Sequence, residues 1–235
     1  MIHDPKQLIG RESLKFYTPL AMLFVAILII VNIITQKIVP IGGNFILTPG
    51  DFIYPLDYTL SVILTEVYGY AMSRRVIWGA LGCNIIVVLI ITMAIVLPFA
   101  PVWHDQASFS LILGNAPRLV LASFCAFTIG EFVGTYMLAK TKIFTHGKYL
   151  WFRTIGATLI GQGIDSTVFT TIAFAYVLDL HTLLMLGVTT YACKIIYQIV
   201  LTPGVYALAR FLKTKEGVDI YDKHTNFSPF NLGLR

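Results

Sequence analysis

The chain has 235 residues, 57% of them hydrophobic and 12% charged, with a formal net charge of +5 and a mean hydropathy of +0.77. A soluble domain carries roughly 25% charge, so this composition excludes a water-soluble globule and defines a polytopic membrane protein. The basic residues fall between apolar runs in a topological pattern, which argues against nucleic-acid binding.

The polar start (His3, Asp4, Lys6, Arg11, Glu12, Lys15) has no cleavable-leader pattern and runs into a span-length apolar stretch, expected to act as an uncleaved signal anchor. With about 20 residues needed per span, six transmembrane helices are predicted over 19–38, 52–73, 77–98, 118–139, 154–178 and 183–211. They make a single all-α transmembrane domain covering 1–235. The first carries Asn32 and Gln36 one turn apart, a pair suited to interhelical hydrogen bonds. The turn Ile41-Gly42-Gly43-Asn44 precedes a second span holding Pro55, Asp57 and Glu66. Asp57 is expected to point toward the outer surface, about half a turn out of phase with Glu66.

Arg74 and Arg75 read as the connection to a charge-free third span, whose Gly79 and Gly82 make it a packing or homo-oligomer surface. A Pro98–Pro101 breaker opens the longest outer loop, 102–116. In the fourth span Gly130 and Gly134 flank Glu131 as a Gly-x-x-x-Gly packing motif, with Phe124 and Phe127 on the side of Glu131. The fifth places Gln162, Asp165 and Phe169 on one face, and the sixth sets Tyr191, Lys194, Gln198 and Thr202 in one stripe, with Pro203 beyond. The tail after Leu212 reads as polar, short and cytoplasmic. Basic residues crowd alternate connections (Arg74, Arg75; Lys140, Lys142, Lys148, Arg153; Arg210, Lys213, Lys215), and the other side holds only Lys37 and Arg118. The positive-inside rule therefore puts both termini in the cytoplasm.

Charges inside such spans are the informative departure. Each costs about 2.5–3.5 kcal/mol at the helix centre on insertion scales, so intramembrane ionisable groups face one another or a polar cavity. Asp165 lies 12 residues from Arg153, and Lys194 lies 13 beyond His181. In antiparallel helices both reach mid-membrane, where an ion pair spares two isolated charges. Glu66, 8 residues from Arg74, and Glu131, 9 from Lys140, are expected in the cytoplasmic half. Together the four predict a pocket near the midplane made of acceptors, donors and ring faces. Such a pocket suits a flat polar heterocycle better than a bare ion or a lipid.

Other chemistries fare worse. Cys83, Cys125 and Cys193 are odd in number and set in apolar segments, against a disulfide framework or structural zinc. No histidine falls within a span, so no metal site and no cofactor is expected. There is no Gly-x-Ser-x-Gly elbow. Gly161-Gln162-Gly163-Ile164-Asp165 is one residue off the Gly-x-Gly-Asp of intramembrane aspartyl proteases, and an enzyme is the remote alternative. With no nucleotide-binding motif, ATP coupling would have to come from a partner module.

Thr65-Glu66-Val67-Tyr68-Gly69-Tyr70 with Arg74-Arg75 resembles a signature of the queuosine precursor transporter family, also described as vitamin-uptake transporters. So do Arg153 with Thr158–Ser166 and Ile172-Ala173-Phe174, and Lys194-Ile195-Ile196-Tyr197 with Leu201-Thr202-Pro203, Lys213, Glu216-Gly217, Asp219, Tyr221-Asp222 and Asn226-Phe227. The resemblance covers nearly the whole chain. It implies a multi-pass importer in the bacterial inner membrane for 7-deazaguanines such as preQ0 or preQ1, with a fold like the substrate-binding subunits of energy-coupling-factor transporters. Two positions depart from the family pattern. Val62 stands where an acidic residue is common, and Gln198 stands where a glutamate follows Lys-x-x-Tyr.

The small-molecule site expected from these readings comprises Glu66, Gln162, Asp165, Lys194, Gln198, Tyr191, Glu131, Phe169, Phe127 and Asn32. Asp165 or Glu66 would accept from the ring N–H and exocyclic amine of a guanine-like edge. Gln162, Gln198 or Lys194 would donate to its carbonyl, and Phe169 or Phe127 would stack. Another heterocycle or vitamin, with proton coupling through Glu66 or Glu131, is the alternative cargo reading. Membrane lipid is the remaining expected partner.

Overall fold

A computed structural model describes residues 14–231 apart from 36, 38, 43–44, 115–116, 176–178 and 223–224. Gln36 therefore lies outside the described residues. In chain order the elements are α1 (Tyr17–Ile34), a small antiparallel hairpin of β1 (Val39–Gly42) and β2 (Phe45–Leu47), then α2 (Pro49–Tyr68), α3 (Tyr70–Val96), α4 (Gln106–Gly114), α5 (Pro117–Phe144), α6 (Leu150–Phe174) and α7 (Leu180–Glu216). The all-α expectation holds for the bundle; the hairpin at the predicted 41–44 turn is the exception. The predicted outer loop also contains a helix, α4.

Four of these helices, α1, α3, α5 from Leu121, and α7, are long and apolar enough to cross a membrane. Their outward faces are apolar and exposed, as at Ile86, Leu89, Ile90 and Met93 of α3 and Val188, Ile196 and Val200 of α7. In a bilayer such faces meet lipid, and every backbone polar group is satisfied inside the helix. α2 is different: from Ser61 to Tyr68 every residue is buried. It is the central helix, in contact with α1, α3, α5 and α7.

Local sequence explains how α2 begins and ends. Thr48 and Asp51 form a capping box: the Thr48 hydroxyl accepts from the Asp51 N–H at 3.3 Å, and the Asp51 carboxylate accepts from the Thr48 N–H at 2.8 Å. Pro49 at the first helical position needs no hydrogen-bond partner there. The far end is set by Gly69, whose φ of +83° suits glycine and whose hypothetical Cβ would lie 2.6 Å from Ile220 Cγ2. α2 and α3 thus meet at a single residue. This corrects the predicted boundary at 73/77, because Arg74 and Arg75 lie inside α3.

α5 and α6 make the closest helix pair. A Cβ on Gly130 would lie 2.8 Å from the Gly161 carbonyl oxygen, and one on Gly161 would lie 3.1 Å from Gly134 Cα. The Gly-x-x-x-Gly motif therefore serves packing within the chain, as expected of small residues that let backbones touch.

The segment after α7 is not a loose polar tail, which is the second correction. α7 continues to Glu216, and Val218, Ile220 and Asp222 that follow are buried. Ile220 N–H donates to the Val67 carbonyl at 3.1 Å. The Arg74 guanidinium donates to the carbonyls of Asn226 (2.7 Å) and Ser228 (2.6 Å), and Trp78 donates to that of Pro229 (2.7 Å). Phe227 packs on Tyr70 and Tyr136, with Lys140 over its ring. Hydropathy marks Arg74 as loop, yet its charge is consumed by backbone carbonyls from 150 residues away.

Candidate functional site

A cavity of about 510 Å³ opens at the end of the bundle opposite this segment. Its wall is built from the last turns of α1, the first turns of α2, the second half of α3, the end of α4, the first half of α5, and α6 and α7 around Asp165 and Lys194. Most of the wall is aliphatic. Pockets of ~300–1,000 Å³ with mostly apolar walls and a few convergent polar groups are the usual form of small-molecule sites.

The polar groups converge at one place. Lys194 Nζ donates to Asp165 Oδ2 at 2.6 Å, so the ion pair expected from matching depths is present. The Tyr54 hydroxyl donates to the other oxygen, Asp165 Oδ1, at 3.3 Å. Lys194 also sits over the Tyr54 ring, 4.4 Å from its centroid, a cation–π contact. One carboxylate is thus held by donors from two helices. Across the cavity, Asn32 of α1 donates to Asn84 of α3 at 2.7 Å, and Asn84 donates back to the Ala80 carbonyl. Phe127 and Phe169 supply ring faces on the wall.

Five of the ten expected residues therefore share this cavity: Asp165, Lys194, Phe169, Phe127 and Asn32. Gln162 and Gln198 lie deeper, around a small void bordered by Tyr58 and Thr158 that meets the cavity at Tyr54 and Lys194. Tyr191 lies off the cavity, its hydroxyl on the Leu159 carbonyl of α6 at 3.0 Å. Glu131 is buried but does not border it. Asp57, expected near the outer surface, is 1% exposed. α2 is covered by α1, α3, α5 and α7, so the face half a turn from Glu66 is interior as well.

Glu66 lies elsewhere, in a compact ionic cluster at the opposite end. Its Oε1 accepts from Lys213 Nζ at 2.6 Å and from Arg153 Nη2 at 2.9 Å, and Lys142 Nζ lies 3.7 Å away. Lys142 also donates to the Glu66 and Ile220 carbonyls, and both lysines reach Asp219 Oδ1, at 2.6 Å and 2.9 Å. Burial raises the Asp219 carboxyl, but Lys142 and Lys213 outweigh it and hold the group below its ordinary value. Its contribution to folding is therefore present at neutral pH and is lost as pH falls through that lowered value. Asp222 is pushed the other way by burial, against the opposing donors Tyr70 N–H and Thr225.

Tyr54, Asn84 and the three cations around Glu66 are missed by residue-by-residue reading. Tyr54 has a weak signal, lying one turn before Asp57 and Tyr58. The cations looked like ordinary topology markers, because the sequence cannot distinguish an interfacial lysine from a buried one.

A membrane-embedded helical bundle with a cavity on an ion-paired polar floor is the architecture of a small-molecule carrier. A family described as "Putative vitamin uptake transporter" matches residues 48–208, and the chain belongs to that family. It is 30% identical over 172 residues to a "Probable queuosine precursor transporter" of Bacillus subtilis, covering 72% of this chain and 74% of that protein. It is 23% identical over 143 residues to a "Queuosine precursor transporter" of Escherichia coli, covering 61% and 62% respectively. No solved structure matches the chain.

Proposed function

We propose that this protein imports queuosine precursors, 7-deazaguanine bases of the preQ0 and preQ1 kind, across the bacterial inner membrane. The two relatives carry that activity in their names and align over most of the chain. In this reading α1, α2, α3, α5, α6 and α7 span the membrane with both termini cytoplasmic, and α4 lies at the outer surface. The cavity then faces outward. α2 and α6 carry too much polarity to qualify as simple apolar spans, because α2 is the central helix and α6 turns Gln162, Asp165 and Ser166 inward.

The observation that carries the reading is the Asp165–Lys194–Tyr54 arrangement on the cavity floor. A guanine-like edge presents a ring N–H beside an exocyclic amine, two donors that one carboxylate accepts together. Lys194, swung off Asp165, donates to the adjoining carbonyl, while Phe127 and Phe169 cover the ring. Asp165 borders the cavity and Glu66 does not, which favours Asp165 as the reader of the donor edge. Adenine-like bases reverse those donors and acceptors, and buried polar groups left unmatched give strong rejection.

The test is uptake of labelled preQ0 by cells and by proteoliposomes, with preQ1, guanine, adenine and vitamins as competitors. Asp165→Asn is expected to abolish preQ0 uptake, and in the wild type guanine-like bases are expected to compete and adenine is not. Full uptake in Asp165→Asn would defeat the assignment. Accumulation by this chain alone would also exclude a required ATP-driven partner.

A further inference from the structure

Two buried carboxylates take no part in the cavity or in the Glu66 cluster. Asp57 of α2 and Glu131 of α5 are 1% and 2% exposed, and Asp57 Oδ1 and Glu131 Oε1 have no hydrogen-bond partner. Among the described residues, neither carboxylate has an ion-pair partner, whereas Glu66, Asp165 and Asp219 each have at least one. The pair is mutually close enough for one charge to act on the other.

A second observation bears on the same place. The buried Tyr58 hydroxyl, with Thr158 as a polar neighbour, makes no well-formed hydrogen bond and lies against α5 one turn from Glu131, 2.8 Å from where a Cβ on Gly134 would be. Thr65 Oγ1 is likewise buried and unpartnered, and the buried Ser61 hydroxyl faces Glu131. With Tyr54, these residues make a continuous polar stripe on α2 at helical spacing, running from the cavity floor at Asp165 to the level of Glu66. Native interiors pair nearly all such groups, so a row this poorly satisfied around two carboxylates without counter-ions calls for a reason.

The charged groups facing the pair are Asp165 of α6 and, bound to it, Lys194 of α7; the hydroxyls of Tyr54 and Tyr58 face it from α2 itself. The lysine is already committed to Asp165, so among the described residues no cation pairs with either carboxylate. A carboxylate deprived of both water and a counter-ion is strongly disfavoured as an anion.

We propose that Asp57 and Glu131 form a proton-carrying site that couples base import to the proton gradient. The proposal rests on the transporter reading above. One carboxylate takes a proton from water at the cavity mouth through the Tyr54 and Asp165 end of the stripe, becoming a neutral acid as the base enters. It returns that proton to water on the other side when the base leaves, regenerating the anion. One proton moves inward with each base.

The experiment uses the full chain in liposomes with preQ0, whose nitrile does not titrate. Exchange of external labelled preQ0 against trapped unlabelled preQ0 needs no gradient; accumulation under an inside-alkaline pH step does. Wild type is expected to do both, with the accumulation ratio approaching about tenfold per pH unit, the equivalence for one proton. Asp57→Asn is expected to exchange at the wild-type rate and to lose gradient-driven accumulation, and Glu131→Gln to lose that accumulation too. Added preQ0 should acidify the lumen of wild-type vesicles, read by a trapped pH dye, which tests coupling even if a variant does not fold. Wild-type exchange with no response to the pH step and no acidification overturns the proposal while leaving the transporter reading intact. Accumulation retained in both variants also overturns it. Absence of exchange in the wild type overturns the transporter reading itself.

Discussion

At the residue scale, the cavity floor is a case where function and stability pull on the same atoms. Asp165 and Lys194 are both nearly buried, and each is tolerable mainly because the other is present. Lys194→Met is expected to destabilise the protein by about 3–5 kcal/mol, the usual cost of stranding one partner of a buried pair. The double change Asp165→Asn with Lys194→Met should recover much of that loss while uptake stays absent. Thermal unfolding in detergent beside an uptake assay separates the two effects. Tyr54→Phe removes only one neutral donor and should cost about 1 kcal/mol. The pairing of Asp165 with Lys194 was legible because both depths follow from helix rise and span ends. The departure of Glu66 from that pocket was not. Nothing in the sequence says that Lys142, Arg153 and Lys213 fold inward to meet it.

Among the elements, the glycines separate into two kinds that sequence alone does not distinguish. Gly161 is pressed against the α5 backbone, while a Cβ on Gly79 of α3 would meet nothing within 4 Å. Gly161→Leu is expected to separate α5 from α6 and to reduce the yield of folded protein sharply. Gly79→Leu should leave yield, melting temperature and uptake unchanged. Fluorescence-detected size-exclusion chromatography with a melting series reads both. A harmful Gly79→Leu would instead reveal a neighbour on α3, such as a second copy. Helix positions were legible from hydropathy because apolar runs of span length allow few other folds. The junction between α2 and α3 was not legible, since Gly69 breaks the chain inside a continuous apolar run and Arg74-Arg75 imitates the missing boundary.

For the whole molecule, the segment after α7 joins parts made far apart in the chain. Its Asp219 completes the cluster around Glu66, and its backbone between 226 and 229 receives Arg74 and Trp78. Asp219→Asn at neutral pH should remove the charge from both lysine contacts and weaken docking by about 1.5–3 kcal/mol, the range for hydrogen bonds to charged groups. Faster hydrogen–deuterium exchange at the Ile220 amide, which bonds to Val67 in the intact protein, would report the release. Unchanged exchange there would show that the aromatic contacts of Phe227 suffice.

The order of synthesis gives that docking a further meaning. Residues 218–231 are made after α7, yet they provide partners for charges on α3 and α5 made much earlier. A chain lacking these residues is therefore expected to leave Arg74, Trp78 and Lys142 without the partners that 219–229 supply. Products that stop short of this segment would carry those side chains permanently bare, as a recognisable flag for membrane proteases that clear unfinished chains.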